Sequence, residues 1–505
     1  MSENLFQRLQ AGFPDDRGQT AIEQPGGRSD SYTELEAASG RLARLLGALG
    51  VAPGDRVAVQ VEKSAEALFL YLACLRAGAI YLPLNTAYTP AEIAYFLGDA
   101  EPKVFVCTPA SEPALRDVAA AAGVARLLTL GQQGDGSLIE AARGLDPAAG
   151  CVAAAADDIA AILYTSGTTG RSKGAMLSHG NLASNAAALH RIWGFRPGDV
   201  LLHALPLFHV HGLFVASNTA LLNGSRIILL PRFDVEEILR LLPEATVFMG
   251  VPTFYTRLLA APGFGAGACR NVRLFVSGSA PLLTETFEAF RARSGHTILE
   301  RYGMTEAGMI TSNPLEGERR AGTVGLPLPE IEVRIRAEDG GAVPEGEIGV
   351  LELKGPNVFK GYWRNPEKTA DEFRPDGFFV SGDLARIDSE GYVHIVGRAK
   401  DLIISGGYNV YPKEIEQAID ALPGVQESAV IGLPHPDFGE AVGAVVIREP
   451  GSTGPDAEAV IAALRQRLAG FKVPKQVVFA ERLPRNAMGK VQKKELREAY
   501  KQTFA

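Results

Sequence analysis

Cysteine and tryptophan are scarce in this 505-residue chain, at four and two. Cys74, Cys107, Cys151 and Cys269 stand far apart, so their spacing encodes neither a disulfide framework nor a paired metal-ligand set. No apolar stretch approaches the length needed to span a bilayer, which argues against membrane insertion. The opening MSENLFQRLQAGFPDD has no basic segment leading into an apolar core, so no secretory signal is read and a cytoplasmic protein is expected. An excess of basic residues is also missing. With 50 Lys and Arg against 58 Asp and Glu the formal net charge is −8, so bulk electrostatics does not favour nucleic acid or an anionic membrane. Any anionic ligand must be held by local clusters. No internal repeat is present. The chain is 46% hydrophobic, ample for large cores, and its length implies more than one domain.

The densest chemical signal is AILYTSGTTGRSKG at 161–174. An apolar run, read as a buried strand, opens into Thr165, Ser166, Gly167, Thr168, Thr169 and Gly170, followed by Lys173. Glycines let backbone N–H groups approach a ligand, hydroxyls add donors, and lysine adds a mobile charge. That combination suits a polyphosphate. The Walker pattern is absent, because Lys173 lies three residues beyond Gly170 and does not directly follow a glycine.

Strands and helices alternate in the first part of the chain. RVAVQVE (56–62), AIYLPLN (79–85) and KVFVCTP (103–109) read as strands, and SAEALFLYLACLRAG (64–78) and PAEIAYFLGDA (90–100) as helices. Such repetition predicts parallel sheets with helices on their faces. Ala-rich DVAAAAG and CVAAAADD read as helical or connecting segments. From about 320 the texture changes to short alternating runs punctuated by Gly, Pro and Asp-Gly, which predicts a small antiparallel, barrel-like subdomain at about 320–396. Beyond GRAKD, PKEIEQAIDAL puts Ile415, Ala418, Ile419 and Leu422 at helical spacing, and ESAVIGL and AVGAVVI read as strands. The fold class expected is α/β, with a large N-terminal domain at 1–396, a hinge at 397–400 and a small α+β domain at 401–505.

Five further stretches carry chemistry: PLFHVHG (206–212), VSGSAPL (276–282), ERYGMTE (300–306), SGDLARID (381–388) and PRNAMGK (484–490). ERYGMTE packs a carboxylate, an aromatic ring and a hydroxyl into what reads as one turn. In their order and spacing, and together with the 165–173 loop, these stretches resemble the acyl-adenylate-forming superfamily of acyl-CoA synthetases, luciferases and adenylation domains. The resemblance covers essentially the whole chain.

It implies two half-reactions with ATP, Mg²⁺ and coenzyme A. A carboxylate first attacks the α-phosphorus of ATP and pyrophosphate leaves; a thiol then displaces AMP. By resemblance, catalytic Lys490 supplies positive charge where the two anions meet, Thr305 touches the α-phosphate, and Glu306 binds Mg²⁺. The loop from Thr165 to Lys173 would hold the outer phosphates. Asp383 and Arg398 would take the ribose, while Tyr302, Gly278, Ser279, Ala280 and Glu300 would surround adenine. His209 matches a position between the acyl pocket and the thiol tunnel; His211 reads as structural. Lys400 would be the hinge about which a C-terminal lid turns, bringing Gly406 and Gly407 to the CoA arm.

The acid is narrowed by two arginines. Arg301 precedes YGMTE, Arg257 lies in VPTFYTRLL on a helix predicted from near Pro252, and Ser277 adds a hydroxyl. Two guanidinium forks and a hydroxyl suit a second carboxylate. The combination of VPTFYTR and ERYGMTE resembles the malonyl-CoA synthetases, so a dicarboxylate, malonate or methylmalonate, is the substrate expected. The alternatives are a short- or medium-chain fatty acyl-CoA synthetase and a non-catalytic nucleotide-binding protein on the same fold. The family also implies a regulatory partner, a lysine acetyltransferase and deacetylase acting on Lys490.

Overall fold

Local signals fix the element ends. In the computed structural model, which describes residues 3–148, 150–165, 172–405, 408–486 and 489–504, the helix Ala65–Ala77 starts where the Ser64 hydroxyl accepts from the Ala67 N–H. It stops at Gly78, whose φ of 69° a β-carbon would disfavour. Apolar nearly all round, it is buried along its whole length, as a helix packed on several sides must be. The helix Pro90–Ala100 begins with a reciprocal Thr89–Glu92 capping box and a proline in its first turn.

Four sheets follow. The first has six strands in the order Arg126–Thr129, Val104–Cys107, Arg56–Gln60, Ile80–Pro83, Ile159–Thr165 and Lys173–Ser178, parallel except for the last pair. The second has nine strands. Its central run, Leu299–Met304, Leu274–Ser277, Val247–Gly250, Val200–His203, Arg226–Leu229 and Thr20–Glu23, is parallel, with antiparallel strands at both edges. One continuous apolar core links these two sheets. The expected strands at 56–62, 79–85 and 103–109 are present, each trimmed by one to three residues at its ends.

The segment read as barrel-like is a four-stranded antiparallel meander of Glu332–Arg336, Gly349–Lys354, Phe379–Ile387 and Val393–Arg398. Beyond it a five-stranded sheet is built on the long hairpin Val425–His435 and Gly439–Arg448, with the helices Pro412–Asp420 and Ala457–Arg465. Ile415 and Ile419 are buried in this last core, and Ala418 and Leu422 pack against it. The Ala-rich stretch at 151–158 is a connector without helix, whereas DVAAAAG completes the helix Glu112–Ala121. Among the described residues no helix is long and apolar enough to cross a membrane.

Because the central strands of the nine-stranded sheet run parallel, their C-terminal ends share one edge, where open α/β sheets bind ligands. A buried carboxylate ties the opposite ends together. Asp199, 2% exposed, accepts from Arg273 Nε at 2.9 Å, Thr246 Oγ1 at 2.8 Å and the Arg196 N–H at 2.9 Å, bridging three strands. Asp199→Ala would strand Arg273 without its carboxylate. Urea unfolding of that variant is expected to show a loss of about 3–5 kcal/mol; an unchanged midpoint would remove this clamp from the account of the fold.

Candidate active site

Four loops leave the shared strand edge together. They are the segment after Val200–His203, carrying His209 and His211; the helix Pro252–Ala260 after Val247–Gly250; residues 278–281 after Leu274–Ser277; and the turn 305–307 after Leu299–Met304. The stretch ERYGMTE is therefore not a single turn. Glu300, Arg301 and Tyr302 lie on a paired strand, and Thr305 and Glu306 fall in the turn that follows.

At this edge sits Arg301, 3% exposed, whose Nε and Nη2 have no partner among the described residues. The fully buried Ser277 Oγ is also unpartnered. The chain needs glycine at 278, because a β-carbon there would overlap the Arg301 guanidinium. Burial pulls Arg301 down to about 9, still cationic at neutral pH. His209 and His211 border it. Burial first, and then the Arg301 charge, hold His209 down to about 4 and His211 well below the usual histidine range, so both rings are neutral. His211 Nδ1 lies 3.2 Å from Ser279 Oγ, and His209 Nδ1 accepts from the His211 N–H at 3.2 Å. Ser279 has φ of +72°, a conformation costing a non-glycine residue roughly 1–3 kcal/mol and typical of functional turns. A guanidinium with two nitrogens free of hydrogen-bond partners among the described residues, beside neutral imidazoles and a free hydroxyl, has donors to offer an anion.

The nucleoside end is an acceptor. Asp383, 3% exposed, pairs with Arg398 Nε at 2.8 Å, accepts from the Tyr302 hydroxyl, and is opposite Arg398 in the strand register. Its own N–H donates to Ser381 Oγ at 3.1 Å. Glu300 Oε1 accepts from the Leu282 N–H at 3.0 Å; Oε2 has no protein partner. Burial raises Glu300 to about 7, against the opposing pull of Lys413.

The phosphate end contains residues the sequence does not announce. Lys173 pairs with Glu372 at 3.0 Å and sits 4.0 Å from the centre of the Tyr362 ring. The Tyr362 hydroxyl faces two carboxylates, Glu372 Oε2 at 2.6 Å and Glu306 Oε1 at 3.2 Å. One phenolic proton cannot serve both, and the shorter contact takes it. Glu306 also accepts from Thr165 Oγ1 at 3.4 Å, and burial raises its pKa. A buried carboxylate short of donors fits a hard divalent cation, which asks for one or two such groups and takes its other ligands from phosphate and water. Tyr362 and Glu372 lie in KGYWRN and DEF, which match no phosphate motif. Ser166, Gly167, Thr168, Thr169 and Gly170, and likewise Gly406 and Gly407, lie outside the described residues.

From the small domain Lys490 reaches the same cleft. Its N–H donates to Asn486 Oδ1 at 2.9 Å. The neighbouring Gly489 comes so close to the helix Pro252–Ala260 that a β-carbon on it would lie 3.3 Å from Thr253 Oγ1. Lys490 keeps an exposed face, yet the atoms crowding it, and then Arg398, pull its ammonium down to about 8. Arg257 sits one turn beyond Thr253 and is exposed, so the expected pair of pocket arginines is split between a buried Arg301 and a surface Arg257. Lys400 lies exposed in the short turn Ala399–Asp401, where Arg497 braces Asp401 at 2.9 Å. Ala280 is half-buried beside Ser279.

A buried guanidinium with free donors, a carboxylate paired with an arginine and a lysine-bearing polar end meet in one cleft, a set whose chemistry suits joining a carboxylic acid to a nucleotide. The chain belongs to the AMP-binding enzymes: that family's model matches residues 6–363, and the model of its C-terminal domain matches residues 414–490. Among solved structures, ATP-bound MatB from Rhodopseudomonas palustris is 57% identical over 100% of both chains with a TM-score of 0.98; apo MatB gives 0.86. The feruloyl-CoA synthase of Amycolatopsis sp is 39% identical over 94% of this chain and 95% of its own. The malonate–CoA ligase of Arabidopsis thaliana is 35% identical over 94% and 85%. The activity at this level is AMP-forming acid–CoA ligation, with ATP and coenzyme A as co-substrates.

Two outcomes follow from the geometry. Gly278→Ala would push the guanidinium aside, and is expected to lower kcat/KM for the acid at least tenfold, roughly the 1.4 kcal/mol of one displaced contact. The adenylation rate is also expected to fall as pH rises through about 8, because the Lys490 cation exists below that value and is lost above it. A kcat/KM profile flat to pH 9.5 would show that Lys490 is not the charge involved.

Proposed function

We propose that the acid is malonate, with methylmalonate as a close alternative, and that the product is malonyl-CoA. The observation carrying this reading is the buried, unpartnered edge of Arg301 beside the unpartnered Ser277 hydroxyl. A monoacid would leave that charge uncompensated; the second carboxylate of a short diacid would satisfy it. Neutral His209 and His211 add no competing charge. Arg257, on the exposed face of its helix, would reach the acid only from the mouth of the site. The malonate–CoA ligase relative is in keeping with this reading.

In the adenylation step the reacting carboxylate oxygen bonds to the α-phosphorus and the bond to pyrophosphate breaks. Lys490 and Thr305 would stabilise the charge gathered there, and Asp383 with Arg398, Tyr302, Gly278, Ser279, Ala280 and Glu300 would orient the nucleoside. Glu306 would hold Mg²⁺, which neutralises phosphate charge when bound. In the second step the CoA sulfur bonds to the acyl carbon, the bond to AMP breaks, and the thiol proton is released; His209 would border the sulfur's approach. Lys400 is the hinge proposed for the change between steps. Acetylation of Lys490 would remove its charge and stop the first step alone.

Pyrophosphate release with Mg-ATP and CoA across malonate, methylmalonate, succinate, acetate, octanoate and ferulate tests the reading. Malonate is expected to exceed acetate and octanoate by roughly 10²–10³ in kcat/KM, the equivalent of an unpaired buried charge. Arg301→Ala is expected to abolish that preference with ATP binding nearly intact. A preference for ferulate or octanoate would return Arg301 to a structural role.

A further inference from the structure

Among the described residues no carboxylate pairs with Lys63, which lies between the two large sheets. Lys63, three residues beyond the strand Arg56–Gln60 of the six-stranded sheet, donates to His203 Nδ1 at 2.9 Å and to the His203 carbonyl at 2.8 Å. His203 ends the strand Val200–His203 of the nine-stranded sheet and is 1% exposed. An ammonium has donors only, so Nδ1 must present its lone pair, and the ring proton is placed on Nε2. That nitrogen lies 2.9 Å from the Gly212 carbonyl, which also accepts from Ser217 Oγ at 2.9 Å.

Gly212 is the second residue of the π-helical segment His211–Ser217. A π-turn is uncommon and recurs at functional sites. Its carbonyl is held by two side chains, His203 from the sheet and Ser217 from the end of the same segment. The backbone is also pressed against the Pro206 carbonyl, which a β-carbon on Gly212 would overlap. The same segment starts with His211, which touches Ser279, and follows His209, whose carbonyl accepts from the Leu213 N–H at 2.9 Å. The line Lys63–His203–Gly212 thus runs from one sheet to the wall facing Arg301. Burial holds the Lys63 ammonium well below the usual lysine range, a cost that an idle surface lysine would avoid by turning outward.

We infer that Lys63 and His203 are positioning residues for the acid pocket: by fixing the His203 tautomer, Lys63 pins the Gly212 carbonyl and with it the depth of the wall that carries His209 and His211. The inference rests on acid–CoA ligation, not on the identity of the acid, so its test uses whichever acid the parent enzyme turns over best.

Lys63→Met keeps the stem and removes the donor. Its KM for the acid is expected to rise about tenfold, with KM for ATP and the thermal midpoint close to those of the parent. Ser217→Ala removes the second donor to Gly212 and leaves Lys63 in place; it is expected to move the acid KM in the same direction by about threefold. Equal changes in both KM values, or no change in either, would overturn the assignment. If Lys63→Met does not fold, Ser217→Ala decides alone: an unchanged acid KM there refutes the role.

Discussion

A buried guanidinium under a glycine, two of its nitrogens without a hydrogen-bond partner among the described residues, shapes one end of the cleft. Burying a guanidinium with two nitrogens unpaired costs several kcal/mol unless something restores the missing interactions. The neighbouring carboxylate, Glu300, acts on Arg301 through its charge, but among the described residues nothing accepts from the guanidinium Nε and Nη2. The protein has lowered the basicity of both neighbouring histidines, left a serine hydroxyl free, and removed the side chain at Gly278. Each of these keeps the charge available to a ligand instead of quenching it. The left-handed turn at Ser279 belongs to the same arrangement, since it lets the chain pass the guanidinium and still offer Oγ to His211.

The opposite end of the cleft is organised by the reverse rule. There most charged groups are paired in the protein, Lys173 with Glu372 and Arg398 with Asp383, and the Tyr362 hydroxyl donates to Glu372. Partial pairing tolerates a ligand that brings both signs, a polyphosphate with its cation, and gives little to one that brings a single negative charge. The two ends therefore differ in what they ask of a ligand, and parallel strands with a shared C-terminal edge hold them in one cleft.

Much of this was legible in the sequence. The alternating strand and helix segments from 56 to 109 and the apolar spacing of Ile415 and Ile419 announced their elements, and the caps at Ser64 and Thr89 emerged only in the structure. The chemical loops were visible because glycine, hydroxyl and charge recur there in a fixed order. The reading of ERYGMTE as one turn failed because the strand it occupies is buried by pairing on both sides, and its polar residues break the apolar run that normally marks a buried strand. In the sequence Arg257 pairs with Arg301 by residue type and by the resemblance of VPTFYTR with ERYGMTE, and neither carries helix phase, which places it on the exposed face one turn from Thr253. Tyr362, Glu372 and Lys63 could not be found, since each acts through a partner distant in sequence: Lys173 is 199 residues from Glu372, and Lys63 is 140 from His203.

The Lys173–Glu372 pair has a consequence for what the resting protein ignores. A lysine that already holds a carboxylate at 3.0 Å and an aromatic face beneath it is not looking for a counter-ion. Chloride or free orthophosphate offers it nothing that Glu372 does not provide, and would have to displace a partner tethered at high effective concentration. Only a ligand anchored elsewhere at the same time, as a nucleotide is by its ribose, gains the leverage to pull the lysine away. Intramolecular competition of this kind is a filter: it sets a threshold of valency below which the abundant small anions of a cell leave the site alone.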